Sequence, residues 1–453
     1  MKEYLLKNEG RNLNRFFIAF VFVFVLMWAF IIPYNNAPDE YMRYEIPHFI
    51  YKYGALPHGG DPRIRDPYWG VSYGFFPILS YIFSAGFMKI VSFFSASDFA
   101  LVMAARIPSV LFTTGTAVFA VKIGKKLFPE SGSWLYIALC MLLPEAVFVG
   151  AYVNNDAMAI FSTAFIVYMW IRGIETKWDY KYCAGLAVGM SFCILSYYNA
   201  YGYLLSSAFI FACSMLLCQE KKWQWSPFLR KGLFILGIVF LLTGWWFIRN
   251  YIIYDGDFLG LKTNNYYGDL YAIPQYKPSL NPNPHHTGMG LGGMLFGQQW
   301  LHKVFQSFVG VFGYMDVYLP QGIYAVYLVI FTGGALGCLI RLKRLFTIRK
   351  NREWVMEGFF HIGMLAAIGI TNFLNLYHSY FVDFQPQGRY SLPMLIPFMF
   401  YVVYGIKTLA QIMIKDGKKQ KAVYGLLVVF VAAVALYSFF GVIFPKYGFV
   451  HFT

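Results

Sequence analysis

Two adjacent carboxylates, Asp39 and Glu40, follow directly after a long apolar run that covers residues 16–34. A carboxylate placed next to membrane hydrocarbon is energetically costly, so such a group is by default a candidate functional group. Pro38 favours the first turn of a helix, where an acidic residue could instead complement the helix dipole. Capping explains one acid but not a pair above a membrane helix, so the sequence favours a functional role for the pair.

A third carboxylate, Asp156, lies in the segment VNNDAMA between two further apolar runs. Asn154, Asn155 and Asp156 all suit the N-cap position of the following helix. For the two asparagines, capping and substrate binding remain equal alternatives. For Asp156 we favour a functional role, because its charge lies at the boundary of the hydrocarbon.

Two arginines at the same boundary could bind an anionic ligand: Arg249 in GWWFIRNY and Arg389 in QPQGRYSLP. An arginine at headgroup depth is a suitable partner for the phosphate of a membrane-embedded lipid. The alternative is that its side chain only extends to the interface, and for Arg249 this alternative is equally strong. The turn before Arg389 favours ligand binding there. Further candidates for substrate binding are Gln387, Tyr390, His48 and Asn155. The histidines show no metal-ligand spacing.

The elements that must position these residues are membrane helices. The chain has 453 residues, of which 58% are hydrophobic and 13% are charged, whereas soluble domains average about 25% charged residues. We therefore predict an all-α polytopic membrane protein, a bundle of about 11 transmembrane helices with interfacial helices and loops on the outer side. The spans are predicted near residues 15–34, 100–121, 133–153, 157–171, 183–199, 200–219, 232–248, 321–340, 356–376, 390–412 and 423–444.

The net charge of +15 follows the positive-inside pattern better than it indicates nucleic-acid binding. With the N-terminus in the cytoplasm, most of the 37 basic residues fall in short cytoplasmic segments. This works only if the apolar stretch 71–94 does not cross. We interpret this stretch as a re-entrant or interfacial element, with an ordinary transmembrane helix as the alternative. The expected organisation is one membrane domain, 1–453, with two large extracytoplasmic loops, 35–99 and 249–320.

The order of three motifs, PDEYMRY, NNDAMA and QGRY, resembles the GT-C superfamily of integral membrane glycosyltransferases. WWFIRNY, SFVGVFGYMDVYLP and QGRYSLPMLIP are similar to a poorly characterised bacterial multi-pass family grouped with GT-C. The resemblance covers roughly residues 15–410. The chain lacks a C-terminal soluble domain and a WWDYG-like acceptor motif, which argues against oligosaccharyltransferase activity and leaves the acceptor open.

The resemblance implies transfer of a hexose or pentose, with inversion, from a polyprenyl-phosphate donor to a glycan or wall-polymer acceptor. Asp39 would be the base, Glu40 and Asp156 would orient the acceptor or hold the base, and Arg249 and Arg389 would bind the donor phosphate. No cofactor is required, although some relatives hold a divalent metal that would lie between Asp39 and Asp156. The site would face outward from a bacterial cytoplasmic membrane. The alternatives are a transporter or flippase of lipid-linked saccharide and a non-catalytic partner in envelope polysaccharide assembly.

Overall fold

The structure is a computed structural model that describes residues 2–129, 131–217, 223–342 and 352–448. These residues form helices and one two-stranded antiparallel sheet, β1 (Val311–Phe312) and β2 (Val317–Tyr318), in which Val311 pairs with Tyr318. The α-helices are α1 (Lys2–Ile31), α2 (Glu40–Tyr53), α3 (Leu79–Val91), α4 (Asp98–Leu127), α5 (Ser133–Met141), α6 (Pro144–Val149), α7 (Asp156–Glu175), α8 (Tyr180–Ile194), α9 (Gly202–Leu216), α10 (Trp225–Ile253), α11 (Leu261–Tyr271), α12 (Trp300–Gly310), α13 (Gln321–Ile340), α14 (Arg352–Phe381), α15 (Leu395–Met413), α16 (Gly417–Tyr437) and α17 (Phe444–Tyr447).

The all-α polytopic architecture predicted from composition is confirmed. Within the described ranges, nine helical segments are long and apolar enough to cross a membrane. They are Gly10–Ile31, Asp98–Leu127, Asp156–Glu175, Tyr198–Leu216, Trp225–Ile253, Gln321–Ile340, Val355–Phe381, Gly388–Met413 and Gly417–Tyr447. The two other predicted spans, 133–153 and 183–199, contain shorter helices: α5 followed by α6, and α8.

These shorter helices nevertheless return the chain from one end of the bundle to the other. Glu40 pairs with Arg106 near the start of α4, and its Oε1 accepts a hydrogen bond from the backbone N–H of Val153, just before α7. The starts of α4 and α7 therefore lie at the same end, and the chain between them must run back through α5 and α6. Asn155 donates to the carbonyl of Ser196, so α8 also finishes at this end. We call it the site end. With the nine long helical segments and these two returns, the described part of the chain makes eleven passes.

The stretch 71–94 contains α3, a helix of 13 residues. Such a helix is about 20 Å long, short of the ~30 Å hydrocarbon core. Two of its hydroxyls fix it at the site end. Ser80 Oγ donates to the carbonyl of Asn154 at 2.8 Å, and Ser84 Oγ donates to the carbonyl of Ala105 at 2.8 Å. In the structure α3 therefore packs against the start of α4 without crossing the bundle.

Close helix packing fixes the segment that leads into α15. Gly334 of α13 and Gly405 of α15 lie backbone against backbone, and a Cβ added at Gly405 would overlap the carbonyl oxygen of Gly334. Small residues permit this approach between membrane helices. The 3₁₀ turn Gly388–Met394 precedes α15 and packs in the same way, because a Cβ at Gly388 would overlap the backbone nitrogen of Phe308. The position of Arg389 is thereby fixed by the bundle.

Candidate functional site

Asp39 occupies the N-cap position of α2, but its carboxylate does not cap the helix. Its backbone is left-handed, with φ 61° and ψ 11°, a conformation that aspartate tolerates better than most residues. Oδ2 accepts a hydrogen bond from Arg389 Nη2 at 2.6 Å and lies 3.7 Å from Arg43 Nη2. The side chain is 34% exposed. Asp39 is thus an anchored carboxylate with one open side.

Arg43 joins Asp39 to Asp156. Its Nη1 donates to Asp156 Oδ2 at 2.8 Å and to Asn155 Oδ1 at 3.0 Å, and its side chain is completely buried. The start of α7 is capped by Asn154 instead, because Asn154 Oδ1 accepts a hydrogen bond from the N–H of Ala157 at 2.9 Å. Asp156 is therefore free to hold the guanidinium, and Arg43 lies one helical turn after Asp39 on α2.

Arg389 reaches the same oxygen of Asp39 from the 3₁₀ turn that precedes α15. Its Nη2 also donates to Tyr390 Oη at 2.9 Å, and Tyr390 Oη in turn donates to Gln385 Oε1. Ser307 Oγ accepts the N–H of Gly388 at 2.9 Å and so ties this turn to α12. A hydrogen-bonded chain runs from Asp39 through Arg389 and Tyr390 to Gln385.

The charges of this cluster balance, yet both arginines keep unused hydrogen-bonding capacity. Asp39 and Asp156 face Arg43 and Arg389, and Arg43 Nε, Arg43 Nη2 and Arg389 Nε are buried without a hydrogen-bond partner among the described residues. Burial alone would raise the pKa of Asp39, but the charges of Arg389 and then Arg43 outweigh burial and hold that pKa below its usual value. Burial and the nearby Asp39 charge raise the pKa of Tyr73 well above its usual value, so its phenol stays neutral and can donate a hydrogen bond to Asp39.

Glu40 points away from Asp39 and is fully buried. Its Oε1 and Oε2 accept from Arg106 Nε and Nη2, both at 2.7 Å, and they also accept the backbone N–H groups of Val153 and Asn35. Arg106 additionally donates to the carbonyl oxygens of Ala29, Ile32 and Pro33 at the end of α1. We call this buried ion pair with its hydrogen bonds the Glu40–Arg106 clamp, and it joins α1, α2, α4 and the start of α7.

The structure does not bring every candidate to this cluster. Arg249 donates to the carbonyl of Pro57 at 2.6 Å and lies over the ring of Trp246. His48 stacks on Tyr44 and Tyr51. No described contact joins either residue to Asp39.

Gln387 lies beside the cluster. Its Oε1 is buried without a partner in the described part of the chain, next to a cavity that Gln385 also lines.

Three charged residues of this region were not predicted as site residues from the sequence. Arg43 lies four residues after Asp39, a spacing that puts both side chains on the same side of a helix. Arg106 and Glu145 lie within predicted spans, where a charged residue is itself a signal. Glu145 is 2% exposed and accepts the N–H of Val311 at 3.1 Å. Each of the three could have been found from position alone.

The residues do not fit a metal ion that bridges Asp39 and Asp156. The guanidinium of Arg43 already lies between the two carboxylates and supplies the positive charge there. Among the residues that the structure describes, no group of three histidine, cysteine, aspartate or glutamate side chains could hold a metal ion.

No protein-family model and no curated protein matches the chain. Among solved structures, it is similar to the archaeal oligosaccharyltransferase AglB from Archaeoglobus fulgidus, in complex with an inhibitory peptide and a dolichol-phosphate. The TM-score is 0.52 at 11% identity, and the match covers 93% of this chain and 55% of AglB. The chain has the GT-C fold, which confirms, over most of its length, the resemblance predicted from the order of the three motifs.

A second match is ArnT from Cupriavidus metallidurans bound to undecaprenyl phosphate, with a TM-score of 0.47 and 12% identity over 93% of this chain and 69% of ArnT. The chain spans about half the length of AglB. Activity, donor and acceptor therefore have to be argued from the site itself.

Proposed function

We propose that the protein is an inverting glycosyltransferase that moves a sugar from a polyprenyl-phosphate donor to a cell-envelope acceptor. The observation that carries this proposal is the setting of Asp39. Its carboxylate is partly open and is held between two buried arginines that retain N–H groups unsatisfied by the described residues. A base beside cations at headgroup depth is the arrangement that this reaction requires, and the GT-C fold supports the same reading.

In the proposed step, Asp39 accepts the proton of an acceptor hydroxyl while the hydroxyl oxygen attacks the anomeric carbon of the donor sugar. A new carbon–oxygen bond forms on one face of that carbon, and the bond to the phosphate oxygen breaks on the other. The configuration inverts, and polyprenyl phosphate leaves with its electron pair. Arg389 and Arg43 stabilise the charge that develops on the phosphate.

A lowered pKa would by itself make Asp39 a weak base. The same arginines that lower it would, however, bind the donor phosphate. A phosphate that approaches Arg389 shares the positive charge now directed at Asp39, so the basicity of Asp39 increases when the donor is in place. This coupling confines an effective base to the donor-bound state.

The remaining residues would position these groups. We propose that Asp156 and Asn155 hold Arg43, and that Glu40 holds the start of α2 through Arg106. We further propose that the site end faces outward from a bacterial cytoplasmic membrane, with the N-terminus in the cytoplasm. Segments 35–99 and 249–320 would then be extracytoplasmic loops of a single membrane domain.

Transport of a lipid-linked saccharide is supported less well. Transporters place charged substrate-binding groups near the midplane between repeats. Here Asp39, Asp156 and Arg389 converge at one end of the bundle, next to the turn at the end of α1.

The test is transfer of radiolabelled sugar from a panel of polyprenyl-phosphate donors by purified protein in nanodiscs. Wild type is compared with Arg389→Gln and with Arg249→Gln as the matched arginine control. We expect Arg389→Gln to slow release of polyprenyl phosphate by about 100-fold or more, as for loss of one group that stabilises developing charge. Arg249→Gln should stay within about threefold, because its charge-assisted bond goes to a backbone carbonyl rather than to the cluster. Equal loss in both variants, or retention of configuration in the product, would contradict the proposal.

A further inference from the structure

A cavity of about 190 Å³ adjoins the Asp39 cluster and is not used in the step described above. It lies between α12, the β1–β2 hairpin and residues 384–387. Its lining includes Lys303, Gln306, Tyr318, Phe384, Gln385 and Gln387. At ~30 Å³ per water, its volume equals that of about six water molecules, the scale of a single sugar ring.

One wall of this cavity is hydrogen-bonded to the Asp39 cluster, and the hairpin on its other side is hydrogen-bonded to the segment that precedes Asp39. In the loop of the hairpin, next to the lining residue Met315, Tyr314 Oη donates to Asn35, at 2.6 Å from both its backbone and its side-chain oxygen. On the other wall, Gln385 accepts from Tyr390, which accepts from Arg389, the partner of Asp39. A ligand in the cavity would therefore lie within a few hydrogen bonds of the proposed base.

The lining has the chemistry of a sugar site. Gln306 is 5% exposed, and its Nε2 makes a long hydrogen bond of 3.3 Å to Gln321 Oε1. Gln387 Oε1 is buried without a partner among the described residues. Amide groups of this kind can donate to and accept from hydroxyls, and they are costly to leave unsatisfied. The rings of Tyr318 and Phe384 offer apolar faces against which a sugar ring can stack.

The charge of the lining is one-sided. Lys303 makes no ion pair among the described residues, and its ammonium lies 5.8 Å from the ring centroid of Phe384. The described lining contains no carboxylate. Asp383 lies outside this lining, and its Oδ2 accepts a hydrogen bond from the neutral amide of Gln385. Asp316 of the hairpin is paired with Lys446 at 3.0 Å. The charged side chain that the described lining presents to the cavity is therefore the positive Lys303.

We propose that this cavity binds a sugar unit that carries a negatively charged substituent, a carboxylate or a phosphate, with Lys303 as its counter-ion. The amides of Gln306 and Gln387 bind the hydroxyls of the sugar. The inference rests on the proposed transferase activity for its place in catalysis, but not for the binding itself. The anionic sugar belongs either to the donor or to the acceptor, and the two sources give different results in the experiment below.

The experiment measures binding of glucuronate, glucose 6-phosphate and glucose to the full-length protein in nanodiscs by saturation-transfer NMR. We expect wild type to bind the two anionic sugars about tenfold more tightly than glucose, the size of one screened lysine–anion contact. Lys303→Gln should remove this preference, Lys303→Arg should keep it, and Lys89→Gln, which alters an exposed lysine on α3, should not change it. Equal binding of charged and neutral sugars by wild type, or a preference that survives in Lys303→Gln, would overturn the proposal.

Repeating the binding measurement in the presence of a polyprenyl-phosphate donor that carries a neutral sugar shows whether the anionic sugar belongs to the donor or to the acceptor. Competition between this donor and glucuronate places the donor sugar in the cavity, whereas simultaneous binding assigns the cavity to the acceptor. The transferase proposal is tested separately, by the transfer assay with Arg389→Gln. A protein without transferase activity can still show, or fail to show, the preference for anionic sugars.

Discussion

If Glu40 is a structural carboxylate rather than one that contacts substrate, its substitution should lower the stability of the protein. Glu40→Gln keeps the shape of the side chain but removes the charge and turns one acceptor into a donor. Both oxygens of Glu40 now accept from Arg106 at 2.7 Å in a fully buried setting. The substituted side chain could keep only one of these two bonds, and its amide would face a guanidinium N–H.

The loss in free energy of unfolding caused by Glu40→Gln can be estimated from these contacts. Hydrogen bonds to charged groups contribute about 1.5–3 kcal/mol each, and breaking a buried ion pair costs about 3–5 kcal/mol. The three carbonyl oxygens that still accept from Arg106 reduce this loss, so we expect about 3 kcal/mol. With an unfolding entropy of roughly 2.1 cal/mol/K per residue over 453 residues, the Tm should fall by about 3 °C or more.

The assay is thermal unfolding of purified protein followed with a thiol-reactive dye, because Cys140, Cys183 and Cys193 are free and buried. Glu45→Gln on the same helix is the matched control, since Glu45 makes no described ion pair, and its Tm should stay within about 1 °C. Replacing both members of the clamp, with Arg106→Met added, should recover part of the loss. The reasoning is refuted if Glu40→Gln keeps the wild-type Tm and yet abolishes transfer.

Three further predictions concern the cluster itself. Because Arg389 and Arg43 lower the pKa of Asp39, its carboxylate is ionised in the free protein at neutral and mildly acidic pH. The kcat/KM for transfer should therefore be independent of pH between about 5 and 8, and stabilisation from ionised Asp39 should be lost only on strong acidification. A fall in kcat/KM near pH 6 would contradict this. Arg43→Gln removes one of the two cations and should raise the pH at which transfer is lost on acidification. It should also destabilise the fold by about 3–5 kcal/mol, because Asp156 loses its partner. An unchanged pH profile would show that Arg43 has no influence on Asp39. Asn154→Ala removes the cap on the N–H of Ala157 and two buried hydrogen bonds to the carbonyls of Val149 and Tyr152. It should lower stability by about 2–3 kcal/mol, measured as Tm, with no change in the pH profile.

Charge and hydropathy together predicted much of this architecture. The apolar runs located the passes, and the cost of burying charge pointed to Asp39, Asp156 and Arg389, which the structure brings together. The predicted span 133–153 is divided into α5 and α6 next to Pro144, and Leu142 and Leu143 lie between the two helices. A run of apolar residues does not reveal such a break, because hydropathy measures burial rather than helix continuity.

Tertiary packing decided what the sequence could not. Arg249 and Arg389 both lie near ends of apolar runs, and only the packing of α12 against the Gly388 turn brings one of them to Asp39. Asp39 and Glu40 are adjacent, yet their carboxylates point to different partners, since Asp39 has a left-handed backbone just before α2 begins. The contact of Arg43 with Asp39 could be predicted from their spacing of four residues. Its hydrogen bond to Asp156 could not, because it joins residues more than a hundred positions apart.

The most direct test of the account is release of polyprenyl phosphate in a single turnover by wild type and Asp39→Asn at matched protein levels. Asparagine preserves the size of the side chain and can still accept from Arg389, but it cannot accept a proton as a base. Asp61→Asn in the same loop, whose carboxylate pairs with the exposed Arg63, is the matched control. The account predicts that Asp39→Asn slows release by about 100- to 10,000-fold while Asp61→Asn stays near wild type. Release at the wild-type rate by Asp39→Asn would contradict the claim that Asp39 is the base.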